Sequence, residues 1–248
     1  MDWVLKYLVL SDIHANIEAL DAVLHAAGRY DHALVLGDLV GYGADPNAVI
    51  DRVRALPAAT VIRGNHDKVG AGLENTDGFN YLARQAISWT ANTLTPNHRQ
   101  WLAALAQGPL VIDDLAEICH GAPFDEDVYI FDDLDAMRAL HVARRPLCLF
   151  GHTHVVAAFY VTGEMRTVGA LRAAQIDIPR DGHSRFLVNC GAVGQPRDGD
   201  PRAAYGILDT ETRTLSLQRV EYDVAAAQAK ILAAGLPDVL AQRLAVGR

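Results

Sequence analysis

Short apolar runs alternate along the first third of the chain with longer stretches whose apolar residues recur at helical spacing. Val4–Leu10 is apolar apart from Lys6, as expected of a strand buried on both faces. Asn16–Arg29 follows, with Ile17, Leu20, Val23, Leu24 and Ala27 on one helical stripe. Ala33–Leu36 reads as a second strand. Asp45-Pro46 signals a helix start, with Asp as cap and Pro in the first turn, and that helix runs to about Leu56. Ala59–Ile62 is a third strand. Strands alternating with helices imply an α/β chain with a largely parallel sheet, and ligands of such sheets collect at the carboxyl ends of the strands.

The texture then changes. Gly70–Gly78 is Gly-rich and predicts a loop; Phe79–Thr93 and a second segment from Thr95-Pro96 to about Ala106 predict helices. We read residues 68–108 as a helical cover beside the sheet rather than a separate domain. Leu110–His120 is strand-like with a turn at Asp113-Asp114, Asp133–Ala143 predicts a helix, and Leu147–Phe150 another strand. Beyond it come Val155–Val161, a Thr162-Gly163 turn, Met165–Val168 and Arg185–Asn189, all strand-like. Tyr205–Asp209 and Leu215–Glu221 predict a hairpin about Thr210–Arg213. Residues 223–248 are Ala-rich and helical, with a break at Gly235-Leu-Pro237. No repeat or linker divides the chain, so residues 1–248 are expected to form one domain.

Composition narrows the function classes. Half of the 248 residues are hydrophobic, enough for a sizeable core, and 21% are charged, which argues against disorder. A net charge of −8 disfavours a sequence-blind nucleic-acid binder. The three cysteines, Cys119, Cys148 and Cys190, form no Cys-x-x-Cys pair and suit a reducing compartment. Leu5–Leu10 is too short to span a bilayer and lacks a cleavage-site pattern. The expectation is a cytoplasmic protein without a membrane partner.

The chemistry sits in five short clusters: Ser11–His14, Leu36–Gly43, Arg63–Asp67, Cys119–Gly121 and Gly151–His154. They contribute Asp12, Asp38, Asn65, His14, His66, His120, His152 and His154, and hold half of the chain's ten histidines. Carboxylates, an amide oxygen and imidazoles together suit two divalent ions. Asp12 and His14 are two apart, as are His152 and His154, and at a strand end such pairs face the same way. Asp38 can bridge two ions with its two oxygens. Ions sharing a carboxylate sit roughly 3.5–4 Å apart, lower the pKa of a water between them and neutralise charge on phosphate oxygens.

The order Asp-x-His, Gly-Asp, Gly-Asn-His-Asp, His, Gly-His-x-His resembles the signature of the calcineurin-like metallophosphoesterase superfamily. Asn189–Asp209 resembles a late element of its small bacterial and archaeal phosphodiesterases of the YfcE type. The resemblance runs from Leu5 to the C-terminal helix. It implies a four-layer α/β/β/α sandwich of two facing mixed β-sheets flanked by helices. It implies that Asp12, His14, Asp38 and His154 hold one metal. Asp38, Asn65, His120 and His152 would hold the other, with Asp38 the bridge. His66 would be the catalytic histidine, contacting the phosphoryl oxygen or protonating the leaving group. Arg197 would bind substrate phosphate, an expectation weighed evenly against a surface pairing with Asp198 or Asp200. Manganese is the favoured cofactor, with iron, zinc, nickel and magnesium as alternatives. The implied activity is hydrolysis of a small phosphodiester by a metal-bridging hydroxide; a phosphomonoesterase or a hydrolase of dinucleoside polyphosphates is the alternative. A non-catalytic scaffold ranks lower, because no expected ligand is missing. Members of that branch often form oligomers, which leaves a homo-oligomer open.

Two departures stand out. Gly41 and Tyr42 occupy positions where the protein phosphatases of the superfamily carry an Asp that orients the catalytic histidine and an Arg that grips phosphate. That argues against a protein phosphatase and leaves Asp67 or a backbone group to orient His66. Cys190 stands where the late element often has Pro. Tyr42 is expected merely to pack, and Phe79, Tyr81 and Trp89 to be core rather than a wall for a nucleobase.

Overall fold

The computed structural model describes residues 5–163 and 168–248. The first strand, β1 (Lys6–Leu10), is followed by α1 (Ile17–Ala26), β2 (His32–Val35), α2 (Pro46–Arg54) and β3 (Ala59–Val61). These three strands are parallel neighbours. Asn16 caps α1 through its side-chain oxygen, which accepts the Ala19 N–H.

A short helix not evident in the sequence follows, α3 (Asn65–Gly70), in which Asp67 Oδ2 accepts the Gly64 N–H. The cover consists of α4 (Tyr81–Thr93) and α5 (Pro96–Ala103). The chain continues through β4 (Leu110–Val111), β5 (Ala116–Ile118), α6 (Asp133–Val142), β6 (Leu147–Phe150) and β7 (Ala157–Val161). Next come β8 (Gly169–Leu171), β9 (Gln175–Asp177), β10 (Arg185–Asn189), β11 (Ala203–Asp209), β12 (Thr214–Val220), α7 (Val224–Ala233) and α8 (Asp238–Leu244). The short strands β8 and β9 were not anticipated. The strand expected at Met165–Val168 falls, except for Val168, outside the described residues, as does Val4.

The strands form two mixed six-stranded sheets, β3-β2-β1-β11-β12-β9 and β4-β5-β6-β10-β7-β8. The largely parallel sheet expected from alternation holds in the first sheet only for β1–β3, because β11 joins β1 antiparallel, and parallel pairing recurs in the second sheet at β5-β6-β10.

Strand alternation builds the layers. Leu8 and Leu10 of β1 pack outward with α1 and α2, while Tyr7 and Val9 face the second sheet. In β6, Leu147 and Leu149 enter the same inter-sheet core, and Cys148 and Phe150 turn to α6. Each fully buried Leu or Val there contributes about 1.5–3 kcal/mol, so the inter-sheet core is a rigid base for the loops above it. A satellite core joins α7 and α8 to α4.

Candidate metal centre

The five clusters all follow strands, at the carboxyl ends of β1, β2, β3, β5 and β6. Their side chains do not converge by strand alternation, as the two-apart spacing suggested. Asp12, His14, Asp38, His152 and His154 have φ of 53°, 47°, 53°, 67° and 60°, in the left-handed region. That region is sparsely populated by non-glycine residues and costs of order 1–3 kcal/mol where bulky side chains adopt it. Cross-loop hydrogen bonds hold it in place. Asp12 N–H donates to Gly37 O (3.1 Å), His14 N–H to Asp38 O (2.9 Å) and Gly151 N–H to His120 O (2.7 Å). The loops also touch: a Cβ on Gly64 would lie 2.2 Å from Asp38 Oδ1, so only glycine lets the third loop approach the second.

Asp12, His14, Asp38 and His154 each offer a ligand atom within 4.8 Å of the others, and Asp38, His120 and His152 do the same; all are buried. Asp38 belongs to both groups. Its Oδ1 accepts the His66 N–H at 2.8 Å. Its Oδ2 is buried without a hydrogen-bond partner, 3.5 Å from His14 Nε2 and 3.4 Å from His120 Nε2. Asn65 Oδ1 stands 3.1 Å from His120 Nε2, which adds the amide oxygen to the second group.

Each imidazole is oriented by its other nitrogen. His14 Nδ1 contacts Val40 O (3.0 Å), His120 Nδ1 Leu36 O (2.8 Å), His154 Nδ1 Gln195 O (2.7 Å) and His152 Nε2 Asp127 O (3.2 Å). Backbone carbonyls commonly fix metal-binding histidines in this way. His14 Nε2 and His154 Nε2 face each other at 3.0 Å, close to the spacing of two nitrogens that each sit roughly 2.0–2.1 Å from one ion. An orphaned carboxylate oxygen and converging imidazole lone pairs fit divalent cations.

Electrostatics agree. Burial pushes His14 and His154 well below the ordinary imidazole range, His152 to about 3 and His66 to about 4, so these rings keep their lone pairs at neutral pH. Burial also opposes charge on His120, but the adjacent Asp38 carboxylate pushes this group up to about 10. Asp38 in turn is held well below the carboxylate range despite burial, by His120, His66 and His14. Burial raises Asp12 to about 6.

Arg197 does not pair with either acid expected to claim it. Asp198 is taken by Arg219, and Asp200 by Arg202 and Arg219. Arg197 instead donates to Gln195 Oε1 at 3.0 Å and lies 5.5 Å from the Tyr42 ring centroid, with its buried Nε unpartnered. The Cys119 thiol turns away from the centre to Gly121 O and Cys148.

The sequence profile described as "Calcineurin-like phosphoesterase superfamily domain" matches residues 5–213. The chain belongs to this superfamily. It is 35% identical over 251 residues to Uncharacterized protein MJ0912 of Methanocaldococcus jannaschii, covering 97% of each chain. A solved metallophosphoesterase from Sphaerobacter thermophilus is 37% identical, with a TM-score of 0.84 over 99% of this chain and 100% of that one. Hypothetical protein PH1004 from Pyrococcus horikoshii OT3, at 20% identity and 98% coverage of both chains, shares the fold with a TM-score of 0.79. Superfamily membership brings divalent-metal binding and phosphoester hydrolysis as the general chemistry.

Within this superfamily, His66 of the present chain is held in a different manner from that anticipated. Asp67 is not free to orient it, since its carboxylate accepts the N–H groups of Leu39, Val40 and Gly64. Burial and the Asp38 charge raise Asp67 to about 7. His66 Nδ1 has no partner. No side chain fits at position 41 either: a Cβ on Gly41, whose φ is +90°, would lie 2.3 Å from His66 Nδ1. Rings replace the acid, with Tyr42, Phe79 and His14 centroids 4.5, 4.6 and 4.9 Å from that of His66. Tyr42 packs as expected, in the satellite core, and Phe79 packs against two cores; both also line the cleft. Tyr129, stacked on His152 at 3.8 Å, was missed; it lies in no motif, and only its following the His120 cluster hinted at it.

Proposed function

We propose that this protein is a dinuclear metal-dependent phosphodiesterase acting on a small phosphate ester. The observation that carries the reading is Asp38 Oδ2, buried, unpartnered and 3.5 and 3.4 Å from imidazoles of two separate ligand groups. Asp12, His14, Asp38 and His154 would hold one ion, and Asp38, Asn65, His120 and His152 the other. Two such ions, when bound, supply an activated water and neutralise charge that develops on phosphate. Manganese is the favoured metal, since the mixed oxygen and nitrogen donors suit it, with iron, zinc, nickel or magnesium as substitutes.

The remaining work belongs to the chain. Asp38 holds the His66 backbone through Oδ1, which ties the position of the histidine to that of the carboxylate. His66 lines the cleft beside both groups; it donates a hydrogen bond to a phosphoryl oxygen and assists departure of the leaving oxygen. Arg197, whose charge neither neighbouring acid neutralises, would supply positive charge near the phosphate. No described helix is long and apolar enough to cross a membrane. The three buried free thiols support a reducing, cytoplasmic setting.

The test is hydrolysis of bis(p-nitrophenyl) phosphate by protein loaded in turn with Mn²⁺, Mg²⁺, Ni²⁺ and Zn²⁺. Turnover with at least one ion, and loss on chelation, is expected. Inertness with all four would sink the reading. Faster hydrolysis of p-nitrophenyl phosphate would favour a monoesterase instead.

A further inference from the structure

Beside the two ligand groups lies a cleft of about 190 Å³. A dry cavity of about 150 Å³ holds a benzene ring, so this cleft accommodates one aromatic ring next to the phosphate position. Besides Tyr42 and the two histidines, two rings line it away from the centre: Phe79, packed on His66 with centroids 4.6 Å apart, and Tyr129, stacked on His152 at 3.8 Å and on Phe131 at 5.2 Å. Tyr129 lines the cleft and is 41% exposed, so part of its ring stays accessible to a ligand between its two stacking partners.

The polar lining is equally selective. Asn75 Oδ1 accepts the Asp77 N–H and Asn80 Oδ1 accepts the Ala83 N–H. Both side chains line the cleft with their amide oxygens already used, which leaves the NH₂ groups as donors. Lys68 is the one Lys or Arg among the described lining residues. Its Nζ is engaged by Glu74 (2.6 Å), Asp127 (2.7 Å) and Glu126 (3.2 Å). Glu74 and Asp127 themselves line the cleft, so its charge beyond the centre is net negative. Such a wall repels a second phosphate.

We propose that this cleft binds one planar, uncharged ring bearing hydrogen-bond acceptors, of the nucleobase or aryl kind, joined to a single phosphate, and that it rejects di- and polyphosphates. Phe79 and Tyr129 are the specificity-determining residues. The inference rests on the phosphodiesterase reading and supplies its substrate class.

Calorimetric titration of Mn²⁺-loaded protein with phenyl phosphate, methyl phosphate and phenyl diphosphate tests it. Phenyl phosphate is expected to bind about tenfold more tightly than methyl phosphate, in line with ring stacking, and phenyl diphosphate no more tightly than phenyl phosphate. Tyr129→Ala should remove most of the preference for the ring, and Tyr129→Phe should restore it. Glu74→Gln with Asp127→Asn should remove both carboxylates of the cleft wall, leave Lys68 paired with Glu126 alone, and raise affinity for phenyl diphosphate selectively. Equal binding of phenyl and methyl phosphate, or a preference untouched by both Tyr129→Ala and Phe79→Leu, overturns the proposal, as does binding of neither phosphate. Tighter wild-type binding of phenyl diphosphate overturns its second half. A protein that keeps the ring preference yet hydrolyses no phosphoester overturns the hydrolase reading and leaves this one standing.

Discussion

The floor of the cleft and its wall are built on opposite plans. The floor is five loops on the carboxyl ends of strands, buried except for half-buried Arg63 and Asn65, with left-handed residues pinned by cross-loop hydrogen bonds. The wall comes from the segment between α3 and α4 and from the loop around Tyr129, and its side chains are half-buried or exposed. A rigid, braced floor suits groups that must meet within tenths of an ångström, whereas a wall that only shapes access tolerates exposure. On the proposed reading, reaction type belongs to the floor and substrate choice to the wall.

Asp38→Asn attacks the floor where it is most concentrated. Loss of at least one equivalent of metal by elemental analysis is expected, with a fall in kcat of about 10³-fold or more. Full metal content with near-normal kcat would mean that the floor does not share one carboxylate. His66→Ala should keep both metals and lose about 10²–10⁴-fold in kcat, which would separate the proposed ligands from the residue proposed to touch substrate.

Gly41→Ala joins a φ of +90° to a clash with His66. A stability loss of about 1–3 kcal/mol by denaturant unfolding, together with reduced kcat, is expected. An unchanged protein would show that His66 is not wedged between loop and rings.

Acid should loosen the metal-free floor. Below about 6.5 the unfolded chain protonates histidines that the fold keeps neutral, His152 down to about 3 and His66 down to about 4. Each therefore withdraws stability as pH falls, at up to about 1.4 kcal/mol per pH unit. Asp12 and Asp67, raised to about 6 and 7, bind protons in the fold over the same range and offset part of this. His120, raised to about 10, contributes stability that is fully present below about 6.5 and is lost as pH rises toward 10. With His14 and His154 also lowered, the balance favours a lower denaturation midpoint at pH 5 than at pH 7. A flat profile would mean that the rings are more hydrated than their burial implies.

Tyr81→Ala gives the smallest effect. This residue begins α4 and is 72% exposed, outside the cleft lining. A change within about 0.5 kcal/mol in stability and unaltered turnover are expected; a large change in turnover would extend the functional wall onto α4.

How much was legible follows the same division. Asp12, His14, Asp38, Asn65, His120, His152 and His154 could be picked out as candidate ligands because metal ligands are drawn from few residue types, and glycines and strand ends punctuate them. Tyr42, Phe79 and Tyr129 could not, since aromatic residues that line a cleft read like aromatic residues in a core. Nor could the release of Arg197, which depends on Arg219 of β12 reaching Asp198 across the fold.

The superfamily, the alternation of strands and helices and the inventory of ligand types can be read from the chain, because local periodicity and short motifs are written in neighbouring residues. Only the tertiary structure decided how the ligands converge and how His66 is held. Left-handed backbone, the orphaned oxygen of Asp38 and the ring cage around His66 all arise from contacts between loops far apart in the chain, and one-dimensional spacing carries no record of them.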